Sequence, residues 1–63
     1  MKFNEMVAIA KEAIKTEADF YHVGDLTPWI QGRFNVGERE ALSVGYEATR
    51  QLINEGVFQK ANW

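Results

Sequence analysis

Residues Asp25 to Glu40 read DLTPWIQGRFNVGERE, and the way this stretch divides into helix and turn decides the fold. Asp25 is a natural helix cap, with a carboxylate that can accept from N–H groups of the first turn. Pro28 fits only within that turn, because it has no N–H to give. The stretch therefore predicts a short helix from Leu26 to about Gln31, ended by Gly32. Leu26, Trp29 and Ile30 would face one way, with Trp29 as the largest contributor to burial. The break Gly32-Arg33-Phe34-Asn35 leads to a second start signal, since Asn35 followed three residues later by Glu38 is a capping-box pattern. From there a longer helix is expected, from Val36 to about Asn54. The outline is that of a helix-turn-helix.

In that longer helix Ala41, Val44, Gly45, Ala48 and Leu52 make an apolar stripe, flanked by Leu42, Tyr46 and Ile53. Gly45 costs helix stability of about 1 kcal/mol relative to Ala, and the plain reason to keep it is the close approach of another helix. Gly56 stops the helix, and residues 57 to 60 suit a short strand. Upstream, Phe20-Tyr21-His22-Val23 is aromatic and β-branched, which suits a second short strand before the turn at Gly24. Earlier still, Phe3, Met6, Val7, Ala10, Ala13 and Ile14 recur at three- and four-residue spacing. They predict an amphipathic helix from Phe3 to about Ala18, with Lys2, Glu5, Glu12, Lys15 and Glu17 on its solvated side.

The expected fold is α+β and mostly helical: one domain over residues 1–63 in the order helix, strand, helix, helix, strand, the connectivity of a reduced winged helix with strands 20–23 and 57–60 paired. The segments Phe20-x-x-Val23-x-Asp25-Leu26, then Trp29, then Gly37-x-Arg39-x-Ala41-Leu42-x-x-Gly45-Tyr46 resemble a family of small uncharacterised winged-helix-like proteins of Gram-positive bacteria and their mobile elements, phages included. The resemblance covers roughly residues 8 to 58, mostly core positions. It departs at Thr27-Pro28, where the family has an aromatic residue, and in having one C-terminal strand where the family tends to have two, which leaves hardly a wing. It implies a fold and no particular activity.

Composition narrows the function. The chain has 63 residues and no cysteine, so a small core must hold it without disulfides or thiolate metal sites, and a cytoplasmic setting is expected. No apolar run approaches the roughly 18 residues that span a bilayer, and Glu5, Lys11 and Glu12 interrupt any signal-peptide core. Neither membrane insertion nor export is expected. Seven basic and nine acidic residues give a net charge of -2, whereas nucleic-acid binders usually carry a basic surplus on one face.

No catalytic residue, metal or cofactor is predicted. His22 is the only histidine and suits a surface or half-buried imidazole better than a ligand or a base. Glu38 and Glu40 diverge by about 160° around a helix, and their place at its start suits the positive end of the helix dipole. Gly32 and Gly37 lack the flanking Lys and Ser/Thr of a phosphate loop. Nucleic-acid contact would have to come from Arg33, Arg39, Arg50 and Lys60, with Gln51 and Asn54 as readers, yet two glutamates at the leading end of the long helix oppose phosphates. Eight aromatic residues are more than so small a core readily hides. Phe34 and Trp63 either anchor a protein contact or fold back as lids. The expectation is a non-enzymatic interaction module that binds a protein partner or itself, with weak or partner-assisted DNA binding as the alternative.

Overall fold

The structure, a computed structural model, describes residues 1–16 and 23–57. They form α1 (Phe3–Thr16), a one-turn 3-10 helix (Val23–Asp25), α2 (Leu26–Phe34) and α3 (Glu38–Asn54). The expectation of an α+β winged helix is therefore corrected: among the described residues the fold is helical throughout and contains no strand. Val23, read as the end of a strand, opens the 3-10 turn, and Val57, read as the start of another, lies in a bend after Gly56. Residues 20–22 and 58–60, the remainder of both strands, lie outside the described residues. Strand propensity reports a fit to a pleated, half-buried surface, and at Val23 and Val57 no sheet supplies one.

Two boundaries move for identifiable reasons. Gly32 does not end α2, which runs on to Phe34; the stop is Asn35, in the left-handed region at φ 56° with its N–H bonded to the Gln31 carbonyl. Asparagine tolerates this conformation better than any other residue with a Cβ, so it closes the helix where the first glycine was expected to. Having become the end of α2, Asn35 cannot cap α3, whose first flanking residue is Gly37 with no side-chain cap bond. Asp25 does stand at the N-cap of α2, but its side chain makes no capping bond there. The end of α3 follows expectation in detail. Gly56 takes φ 73°, its N–H bonds to the Ile53 carbonyl at 3.0 Å, and the Val57 N–H reaches the Leu52 carbonyl at 3.0 Å, the paired bonds of a Schellman turn. Helix α1 opens with the Lys2 N–H on Glu5 Oε1 at 2.9 Å, one arm of a capping box.

Helix α3 is the centre of the packing. Both α1 and α2 lie mainly against it and hardly meet one another. Its inward residues Ala41, Val44, Gly45, Ala48 and Leu52 are all buried; α1 contributes Met6, Val7, Ala10 and Ala13, and α2 contributes Leu26 and Ile30. The small side chains on α3 set the spacing, because large neighbours can then sit directly on the helix backbone. Gly45 shows how close. A Cβ placed on it would lie 3.6 Å from Ile30 Cδ1 and 3.7 Å from Leu26 Cβ. Trp29 is half-buried at the margin of the core, packed edge-on to Phe34 at 85° with ring centres 6.1 Å apart. The fully buried anchors of α2 are Leu26 and Ile30, and Trp29 shields them from the side.

Candidate contact surface

Apart from Met1 and Phe3 around the start of α1, the exposed large apolar side chains among the described residues lie on the outer side of α3 and just beyond its end. Leu42, Tyr46 and Ile53 are exposed by 38%, 59% and 47%, and Val57 just beyond the helix by 46%. At 100° per residue, positions 42, 46, 49 and 53 fall within about 60° of one another on the helix surface. Their spacing of four, three and four is that of a coiled-coil seam. It is the inward series Ala41, Gly45, Ala48, Leu52 displaced by one residue. Thr49 is the shortest side chain of the outer series and is buried at 7% exposure, with its hydroxyl satisfied by donating to the Gly45 carbonyl at 2.8 Å. The Thr49 hydroxyl therefore adds no unsatisfied polar group to the stripe.

Along one flank of the stripe run Arg39, Ser43 and Arg50, all exposed. Arg50 is held within its own helix by two nitrogens on the Glu47 carboxylate, which also accepts from Gln51 Nε2 at 2.7 Å. The Arg50 hydrogen bond is the main reason that the Glu47 carboxyl is lowered to about 2, with the Gln51 bond second; the same pairing raises the Arg50 guanidinium. Gln51 continues the chain by accepting from Lys11 Nζ at 3.1 Å, and Lys11 also pairs with Glu55. These polar links fasten the end of α3 to the middle of α1. By contrast Arg39 has no ion-pair partner among the described residues.

The residues expected to touch nucleic acid are thus not assembled into one basic surface. Arg33 lies on α2 over the ring of its neighbour Phe34, 5.5 Å from the centroid. Arg39 projects from the first turn of α3 between the exposed carboxylates Glu38 and Glu40. Arg50 is neutralised by Glu47, Gln51 is half-buried in the α1–α3 link, and Lys60 lies outside the described residues. Of the two expected protein anchors, Phe34 is half-buried against Trp29 and the core, and Trp63 lies outside the described residues. Sequence reasoning named Leu42, Tyr46 and Ile53 only as flanks of the core, and missed that they form a separate exposed series.

Among the described residues there is no group of three or more His, Cys, Asp or Glu side chains able to hold a metal ion, and no helix long and apolar enough to cross a membrane. His22 lies outside them. Comparison with known protein families, with curated proteins and with solved structures finds no match.

Proposed function

We propose that this domain is a non-enzymatic contact module that binds a protein partner or a second copy of itself through the outer stripe of α3. The observation that carries the reading is the exposure of Leu42, Tyr46 and Ile53 on one line of a helix whose other apolar line is fully covered. Single exposed apolar residues are ordinary, but several along one helix line, here Leu42 and Tyr46 on one side of the buried Thr49 and Ile53 and Val57 on the other, are what contact surfaces draw on. Tyr46 has the make-up of a contact anchor, with a large ring and a hydroxyl that tolerates both water and an interface.

A second reading, weak DNA contact, is favoured by one feature: α2, a three-residue turn and α3 have the spacing of a helix-turn-helix, in which α3 would enter the groove. The charges oppose it. Glu38 and Glu40 lead α3, Leu42 and Tyr46 follow, and only Arg39 on that face is without a partner among the described residues. Phosphate neutralisation needs several such cations, and an apolar stripe offers none.

One titration with two arms tests the choice. At ~150 mM salt the isolated protein is expected to show no saturable binding to duplex DNA. An immobilised form should retain protein from cell extract after nuclease treatment, and Tyr46→Asp should lose it. Saturable, sequence-dependent DNA binding that Arg39→Ala weakens would replace the first reading with the second.

A further inference from the structure

We draw no further inference here: the strongest candidate, the exposed apolar patch of Leu42, Tyr46 and Ile53 on the outer side of α3, belongs to the contact surface already described, and nothing in the structure shows what covers it.

Discussion

The two apolar lines of α3 have the same spacing and opposite contents. The inner line, Ala41, Gly45, Ala48 and Leu52, is built mainly of small residues and is fully covered by α1 and α2. The outer line, Leu42, Tyr46, Thr49 and Ile53, carries the larger side chains, and three of its four members stand in water. Had size alone decided burial, the assignment would be reversed. What decides it is how near the neighbouring helices come. Small residues let Leu26 and Ile30 settle against the α3 backbone, so Met6 of α1 and Leu26 and Ile30 of α2 fill the core beside Val44 and Leu52 of α3 itself. The inner line thus serves folding and leaves the outer line free for contact.

The division is broken hardest by attacking what covers the inner line. Leu26→Ala removes a wholly buried side chain beside Gly45 and should cost about 2 to 5 kcal/mol. That is comparable with the whole stability of so small a domain, so the variant should be largely unfolded at 25 °C by circular dichroism. Gly45 sharpens the comparison at closer range. Gly45→Leu should destabilise by about 1 to 3 kcal/mol through overpacking against Leu26 and Ile30. Gly45→Ala should do the reverse. Its Cβ would meet its nearest neighbour at 3.6 Å, an ordinary contact, so the better helix propensity of alanine, worth up to about 1 kcal/mol, is gained without strain. Chemical denaturation of the two variants should shift the midpoint in opposite directions.

The smallest effect belongs to the polar border of the outer line. Glu47 is held at about 2, below its usual 4.5, chiefly by the Arg50 hydrogen bond. A depressed carboxyl stabilises the fold above its unfolded value, and that contribution fades as pH falls from about 4.5 towards about 2. The pair lies at the surface, where solvent screens it, so the change is slight. In thermal melts across this window, Glu47→Gln should flatten the dependence of melting temperature on pH, most visibly at low salt.

Much of this division was legible in the sequence. The three- and four-residue spacing gave the buried face of α3, and for α1 it gave Met6, Val7, Ala10 and Ala13, while Phe3, expected on the same face, is 40% exposed and Ile14 half-buried. Gly45 announced a close neighbour. Gly56 marked the end of α3. The stretch DLTPWIQGRFNVGERE gave two helices and a turn, but not the exact turn. Gly32 and Asn35 can each end a helix, and only the packing of Ile30 together with the left-handed Asn35 carries α2 past the glycine. The strand readings rested on residue type over 20–23 and 57–60, and at Val23 and Val57, the described residues of those segments, local preference yields to context. The contact surface was half legible. Leu42, Tyr46 and Ile53 were visible as apolar flanks, but the width of an apolar face does not say how much of it the neighbouring helices will cover. Thr49, polar in name and buried in fact, hid the continuity of the second line.

The claim that matters most is that the outer line is dispensable for folding. The double variant Tyr46→Asp/Ile53→Lys, melted at about 5 μM to keep self-association out, tests it directly. A helical spectrum and a melting temperature within a few degrees of the unaltered protein are expected, as for surface substitutions away from packed sites. Loss of the cooperative transition would show that Tyr46 and Ile53 belong to the core of the folded monomer, and would leave α3 without a free face.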